Sequence, residues 1–146
     1  KKESMNNPSI HEFELIKGNE RILILDDEKT IVNTIRKVLT RLGYKVTGYT
    51  NSQEALIKFK SDPDHFDLII SDMTMPEMTG DEFASEILSI RPEIPIIICT
   101  GFSERIDKER AESIGVQGFL MKPVLKSEMA YLVRKLLDGS GGNLRT

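Results

Sequence analysis

The stretch ILILDD, residues 22–27, decides the fold and marks one part of a candidate site. Four consecutive aliphatic residues ended by two acids predict a short strand buried on both faces, because a strand with one exposed face alternates apolar and polar residues. Strands of this kind occur in parallel sheets that helices cover on both sides. The stretch therefore predicts the first strand of an α/β domain.

The same pattern recurs four more times along the chain, as a short apolar run followed by a segment with apolar residues at helical spacing. Gly43 and Gly115 stand where helices commonly end. Strict alternation of strand and helix predicts one parallel sheet with right-handed crossovers and helices on both faces. The predicted strands cover residues 22–25, 45–49, 68–71, 96–100 and 118–121, and the predicted helices cover about 31–42, 52–61, 81–90, 104–114 and 127–138. In the first helix, the predicted inward residues are Ile31, Ile35, Val38, Leu39 and Leu42.

Length and composition fit one folded domain. The chain has 146 residues, of which 39% are hydrophobic and 29% charged, and this is enough apolar sequence for a packed core. Residues 1–19 predict a linker, residues 20–138 the domain, and the glycine-rich residues 139–146 a flexible tail. The chain starts at Lys1 and its first methionine is Met5, which indicates either a piece of a longer protein or a processed terminus.

The net charge limits the kinds of partner that the chain can bind, and the cysteine content indicates its redox compartment. A net charge of -3 gives no general attraction to nucleic acid or to an anionic membrane. No apolar stretch approaches the roughly 18 residues that span a bilayer. The single cysteine, Cys99, lies in an apolar run and predicts a buried thiol, which fits a reducing compartment. We therefore expect a cytoplasmic segment that binds neither nucleic acid nor membrane.

Five polar residues follow or end the predicted strands. Asp26 and Asp27 follow the first strand, Asp72 the third and Lys122 the fifth, and Thr100 ends the fourth. In open α/β sheets, ligands bind beyond the carboxyl ends of the strands, where the strand order reverses. If the order is 2-1-3-4-5, the first and third strands are neighbours there. The three carboxylates, the lysine and the hydroxyl are then expected to converge.

The three carboxylates predict a metal site. Crowded carboxylates repel and raise one another's pKa values unless a cation lies between them. Oxygen ligands together with a phosphate supplied by a substrate favour Mg²⁺, with Mn²⁺ as a substitute. Zinc is disfavoured because the sequence holds no cluster of cysteine and histidine.

The same set of residues favours phosphoryl transfer. An aspartate such as Asp72 can act as nucleophile and form an acyl phosphate, provided that the charge on the transferred group is neutralised. Mg²⁺ and Lys122 would supply positive charge, and the Thr100 hydroxyl would donate a hydrogen bond to a phosphoryl oxygen. Backbone N–H groups near Met73 and Gly101 are further candidate donors.

At these residues the chain resembles the receiver domains of two-component response regulators. The resemblance rests on the acid pair Asp26-Asp27, the segment DMTMPEMTG at residues 72–80, Thr100, and Lys122 followed by proline. It covers about residues 20–138. Each motif alone is weak, and their joint order on five matching β/α turns makes the signal specific. The resemblance implies the flavodoxin-like (βα)5 fold, a parallel five-stranded sheet of order 2-1-3-4-5.

The resemblance also implies a role for each site residue. Asp72 is then the phosphoacceptor, which takes a phosphoryl group from a phosphohistidine in a Mg²⁺-dependent reaction. Thr100 and Lys122 contact the phosphoryl group, and Thr100 acts with Phe119 as a switch that changes a partner-binding surface. The implied metal ligands are Asp26, Asp27, Asp72 and the backbone carbonyl of Thr74.

Partners and kinetics follow from the same resemblance. The implied phosphodonor is a histidine kinase or a histidine phosphotransfer domain, and phosphotransfer and autodephosphorylation are self-catalysed rather than the work of a conventional enzyme. A dimer through helix 4, strand 5 and helix 5 is expected. The phrases GNER at residues 18–21 and TGFSER at residues 100–105 are similar to receivers appended to hybrid sensor histidine kinases. Phe102, two residues after Thr100, is expected to slow hydrolysis.

Other interpretations of the same residues stay open at this level. Taken singly, Asp26-Asp27 fits acids that face a helix dipole, Lys122 a solvated lysine and Phe119 a core residue. A pseudo-receiver would keep the fold and bind partners without phosphorylation. A phosphatase with an aspartate nucleophile would want a second aspartate where Thr74 stands. A flavin protein would want a phosphate-binding loop where the acid pair would repel phosphate.

Overall fold

The computed structural model describes residues 16–101 and 105–140, in which five strands alternate with five helices. The strands are β1 (Arg21–Leu25), β2 (Lys45–Tyr49), β3 (Leu68–Asp72), β4 (Ile96–Thr100) and β5 (Gly118–Met121). The helices are α1 (Lys29–Arg41), α2 (Ser52–Ser61), α3 (Gly80–Ile90), α4 (Arg105–Ser113) and α5 (Lys126–Ser140). Within these two ranges, none of the helices combines the length and the apolar character that crossing a bilayer requires.

The five strands form one parallel sheet in the order β2-β1-β3-β4-β5. In register, Ile24 of β1 lies between Gly48 of β2 and Ile70 of β3. The chain winds toward one edge from β1 to β2 and toward the other edge from β3 to β5, so the order reverses between β1 and β3. This confirms the strand order and the fold predicted from the sequence, and it places the switch point where the acids follow β1 and β3.

Helices cover both faces of the sheet, and the β1 run shows why. Ile22 and Ile24 belong to one core cluster and Leu23 and Leu25 to the other, since successive side chains of a strand point to opposite faces. The first cluster is closed by α1 and α5, and the second by α2, α3 and α4. All five residues of β3 and all five of β4 are buried, as expected for central strands of a doubly covered sheet.

The buried face of α1 is wider than the sequence predicted, since Ile35, Leu39 and Leu42 are buried as expected and Val32 joins them. Ile31 and Val38 are only partly buried and line an apolar cleft of about 270 Å³ between α1 and α5. Val32, which the prediction omitted, is buried together with Ile35 and Leu39. Gly48 on β2 explains the difference, because a Cβ there would lie 2.4 Å from Val32 Cγ1. The missing side chain leaves room for Val32 against the sheet.

Residues on both sides of the predicted domain are structured. Residues 16–19 fall within the predicted linker, yet Ile16 is buried in the core and the Gly18 amide donates to the Leu42 carbonyl at 3.0 Å. At the other end, α5 continues through Gly139 to Ser140, two residues into the predicted tail. Residues 1–15 and 141–146, which hold the rest of the predicted linker and tail, lie outside the described ranges.

Candidate functional site

Four strands deliver the predicted site residues to one edge of the sheet. Asp72 is the last residue of β3 and Thr100 the last of β4, while Asp26 directly follows β1 and Lys122 directly follows β5. Because the strands are parallel, all four residues lie at the carboxyl edge. Asp72 pairs in register with Cys99 of β4, so the third and fourth strands end side by side. The structure thus brings together the residues that the sequence placed here.

Three carboxylates form the acidic part of the site. One carboxylate oxygen each from Asp26, Asp27 and Asp72 lies within 4.8 Å of the others. Asp26 and Asp72 are buried, with 3% and 4% of their surface exposed, whereas Asp27 is exposed. Among residues 16–101 and 105–140, this is the only cluster of three or more histidine, cysteine, aspartate or glutamate residues with such spacing. The Asp26 and Asp72 carboxylates are therefore shielded from solvent, whereas the Asp27 carboxylate is accessible to it.

The electrostatics of Asp26 indicate that the cluster suits a cation. Burial raises the pKa of Asp26 to about 6, and the negative charges of Asp72 and Asp27 add to this. The Glu28 amide, which donates to Asp26 Oδ1 at 2.8 Å, and the Lys122 ammonium act in the opposite direction. Oxygen donors that repel one another at this distance fit a hard divalent cation such as Mg²⁺.

Lys122 forms an ion pair with Oδ1 of Asp72. Burial alone would lower the pKa of Lys122, but the hydrogen bond and the charge of Asp72 raise it overall. The Lys122 amide also donates to the Thr100 carbonyl at 2.8 Å, and the Lys122-Pro123 peptide bond is cis. The charged Lys122 ammonium therefore contacts the buried Asp72 carboxylate, and the Lys122 backbone is hydrogen-bonded to the end of β4.

The loop after β3 folds back onto the strand that carries Asp72. The Gly80 amide donates to the Met73 carbonyl at 2.7 Å. A Cβ on Gly80 would lie 2.4 Å from the Asp72 carbonyl oxygen, so only glycine permits this approach. The loop then enters α3 through a capping box formed by Thr79 and Glu82. The sequence TGDE at residues 79–82 is the signal that could have predicted this cap.

The Met73 amide is not among the donors available near the site. It donates to the Cys99 carbonyl at 3.0 Å, as part of the contact between β3 and β4. The prediction of donors near Met73 and Gly101 therefore does not extend to the Met73 amide itself. Thr74, the next residue, is exposed on the loop.

The two predicted switch residues differ in burial. Thr100 is 4% exposed, whereas Phe119 on β5 is half-buried and packs against the core cluster under α2, α3 and α4. The Lys108 ammonium of α4 lies over the Phe119 ring, 5.2 Å from its centroid. Phe102, expected to affect hydrolysis, lies outside the described residues.

Comparison with known proteins decides the family. The model of the response regulator receiver domain family matches residues 22–134, which is most of the chain. The chain belongs to the receiver domain family of response regulators. It is 33% identical over 119 residues to the chemotaxis protein CheY of Thermotoga maritima, covering 80% of this chain and 97% of CheY. It is 30% identical over 122 residues to the regulatory protein PhoP of Bacillus subtilis, covering 84% of this chain and 50% of PhoP. The chain thus spans nearly all of one relative and about half of the other.

Solved structures agree with this assignment. A receiver domain from Clostridium thermocellum superposes with a TM-score of 0.79 at 30% identity, covering 82% of this chain and 94% of that one. The CheY4 protein of Vibrio cholerae gives a TM-score of 0.74 at 29% identity, covering 82% of this chain and 99% of that one. The receiver domain has the CheY-like, flavodoxin-like fold.

Membership of this family supports the receiver function over the flavin and phosphatase alternatives that the sequence left open. The chain is a phosphoacceptor receiver domain of two-component signal transduction. Receiver domains bind Mg²⁺ through acidic residues, and this chain carries such a cluster. The family also implies a histidine kinase or a phosphotransfer protein as partner.

Proposed function

We propose that Asp72 is the phosphoacceptor of this receiver domain and that Asp26, Asp27, Asp72 and the Thr74 carbonyl hold Mg²⁺ (or Mn²⁺). The observation that carries the proposal is the cluster of three carboxylates within 4.8 Å with Lys122 paired to Asp72. Within this cluster, Asp72 combines burial with a direct ammonium partner. When bound, the divalent cation supplies the positive charge that offsets the incoming phosphoryl oxygens.

The residues of the chain act on the phosphoryl group as follows. A carboxylate oxygen of Asp72 attacks phosphorus, the bond from phosphorus to the donor imidazole nitrogen breaks, and the imidazole leaves with the bonding electron pair. Lys122 then exchanges its contact with the free carboxylate for one with a phosphoryl oxygen. The Thr100 hydroxyl donates a hydrogen bond to another oxygen. Transfer and later hydrolysis are self-catalysed, so the domain is not a conventional enzyme.

The proposed output is a switch at Thr100 and Phe119. Phosphorylation draws the Thr100 side chain toward the phosphoryl oxygens, and the space this frees lets Phe119 become more buried. The half-buried position of Phe119 supports this, because the ring still has exposed surface to lose. The surface built by α4, β5 and α5 changes as a consequence.

The same surface is the proposed contact with partners. Met121, Leu125 and Tyr131 are large apolar or aromatic residues of β5, the following loop and α5, and each is more than half exposed. We propose that these side chains contact a protein, either a second copy of the chain or an effector. We propose a cytoplasmic domain whose phosphodonor is a histidine kinase or a histidine phosphotransfer domain; both a stand-alone regulator and the receiver of a hybrid sensor kinase fit this proposal.

Phosphorylation with a small phosphodonor tests the proposal. With acetyl phosphate and Mg²⁺, the intact mass of the chain should rise by one phosphoryl group, and chelation of the metal should abolish the increase. Asp72→Asn should remain unmodified, while Asp64→Asn, an exposed acid in the turn before β3, should behave as wild type. A wild-type chain that stays unmodified under all conditions would indicate a pseudo-receiver.

A further inference from the structure

A buried carboxylate outside the site links two elements that the proposed function involves. Asp81, in the first turn of α3, is only 3% exposed. Its Oδ1 accepts a hydrogen bond from the Thr79 hydroxyl at 2.5 Å, and its Oδ2 accepts one from Arg110 Nη1 of α4 at 3.2 Å. Acids in the first helical turn commonly face solvent and interact with the helix dipole alone. The burial of Asp81 and its partner on another helix are not explained by that role.

The position of Asp81 places it close to the phosphoacceptor through the backbone. Its neighbour Gly80 packs against the Asp72 carbonyl so closely that a Cβ would lie 2.4 Å away. A continuous set of contacts therefore runs from the end of β3 through Gly80 and Asp81 to Arg110. Arg110 belongs to α4, one of the three elements of the proposed switch surface.

We propose that Asp81 is a positioning residue that, through Arg110, holds α4 in the arrangement seen in the structure. The inference rests on the proposed function, since it assumes that phosphorylation of Asp72 rearranges α4. On this proposal, rearrangement of α4 stretches or breaks the Asp81–Arg110 ion pair. The ion pair therefore stabilises the arrangement of α4 seen in the structure. A ligand that favours the phosphorylated arrangement must supply the free energy of breaking the pair, and this lowers its apparent affinity.

Asp81 and Arg110 differ in burial, so substitutions of the two residues should change the melting temperature by different amounts. The Arg110 side chain is 62% exposed, whereas that of Asp81 is 3% exposed. Loss of Arg110 removes the cationic partner of a buried carboxylate and leaves it the Thr79 hydroxyl, which destabilises the fold. Neutralising Asp81 leaves an arginine that water can solvate. Arg110→Gln should therefore lower the melting temperature more than Asp81→Asn does.

The test measures binding of beryllofluoride, a mimic of the phosphoryl group, in the presence of Mg²⁺ on the full chain. Asp81→Asn and Arg110→Gln should each tighten its apparent affinity about two- to tenfold, because less work is needed to release α4. Arg110→Lys keeps the positive charge and should bind beryllofluoride with nearly the wild-type affinity. Glu86→Gln breaks an exposed pair between α3 and Lys60, with 3.8 Å between charged atoms, and should leave the affinity unchanged.

The outcomes separate this inference from the proposed function. If the two variants change only the melting temperature, or weaken beryllofluoride binding, Asp81 has a purely structural role and the inference is wrong. If wild type binds beryllofluoride but Arg110→Lys behaves like Arg110→Gln, the charge is not what holds α4, and the inference is again wrong. If wild type does not bind beryllofluoride at all, the proposed function fails and the inference fails with it.

Discussion

At the scale of single residues, burial and mutual repulsion of the ionised site carboxylates destabilise the folded protein when no cation lies between them. Burial raises the pKa of Asp26 to about 6, well above its value of about 4 in an unfolded chain. The folded protein therefore holds the Asp26 proton more tightly than the unfolded chain does. This contribution to stability is complete below about pH 4 and is lost as pH rises through about 6.

Asp26→Asn should remove this pH dependence. In metal-free buffer, the melting temperature of wild type should fall from pH 4 to pH 7 by more than that of the variant, since the substituted amide side chain does not titrate. Mg²⁺ should raise the wild-type melting temperature most at the upper end of this range, because the metal competes with the proton. Thermal denaturation across pH with and without Mg²⁺ measures both effects. Parallel pH profiles for the two proteins would show that Asp26 titrates normally.

The sequence was sufficient to predict which side chains meet at the site, but not all of their contacts. Asp26, Asp72 and Lys122 each directly follow or end an apolar run, and parallel strands bring such positions to one edge. The commitment of the Met73 amide to Cys99 was not predictable, because it depends on the register between β3 and β4. The burial of Asp81 was not predictable either, because its partner on α4 comes from a distant part of the chain.

At the scale of elements, the helical period was predictable and the depth to which each residue is buried was not. In α1, Ile31 and Val38 pack against the core at its edge, whereas Val32 and Leu39 are buried. The deep burial of Val32 depends on Gly48 of the neighbouring strand, which leaves space for it. Periodicity within one helix carries no information about that space.

A network around Arg134 of α5 fixes the start of the domain. Its guanidinium donates to Glu20 Oε2 at 2.7 Å, to the Lys17 carbonyl at 3.0 Å and to the Tyr44 hydroxyl at 3.3 Å. Burial alone would raise the pKa of Glu20, but the hydrogen bond and charge of Arg134 lower it overall. The network explains why residues 16–19 are part of the fold, and its long sequence separation explains why the sequence did not reveal it.

Arg134→Met should destabilise the domain by about 1–3 kcal/mol, because it leaves Glu20 and the Lys17 carbonyl without a partly buried donor. The amides of residues 17–19 should also exchange hydrogen faster. Urea denaturation and hydrogen exchange measure the two effects. Arg36→Met, which removes an exposed contact with Asn33 on α1, is the control and should cost less than about 0.5 kcal/mol. Equal costs for the two variants would mean that the network contributes nothing.

At the scale of the whole molecule, strict β/α alternation predicted a parallel sheet covered on both faces, and the resemblance to receiver domains implied its strand order; the structure confirms both. Right-handed crossovers leave few ways to cover both faces, and the order 2-1-3-4-5 is one of the common solutions. The limits of the domain were less predictable. Ile16 carries a weak local signal, and its packing in the core includes it in the domain. At the other end, α5 continues helically through the exposed Gly139 to Ser140.

Phosphorylation should change the α4, β5 and α5 surface through Thr100. Beryllofluoride with Mg²⁺ should shift the NMR resonances of Phe119 and its neighbours in wild type. Thr100→Ala should still bind the mimic but lose most of the shifts at Phe119, because the ligand biases the two states only through its differential contacts. Thr40→Ala, which removes an exposed hydroxyl on α1, should respond as wild type does. Full shifts at Phe119 in Thr100→Ala would disprove the coupling.

The most direct test of the central claim is to locate the phosphoryl group on the chain. After reaction with acetyl phosphate and Mg²⁺, reduction with borohydride converts an aspartyl phosphate into homoserine, and peptide mass spectrometry finds the altered residue. We predict homoserine at position 72 and unmodified aspartate at positions 26 and 27. Modification at either of those positions, or at Asp81, with Asp72 intact would contradict the account.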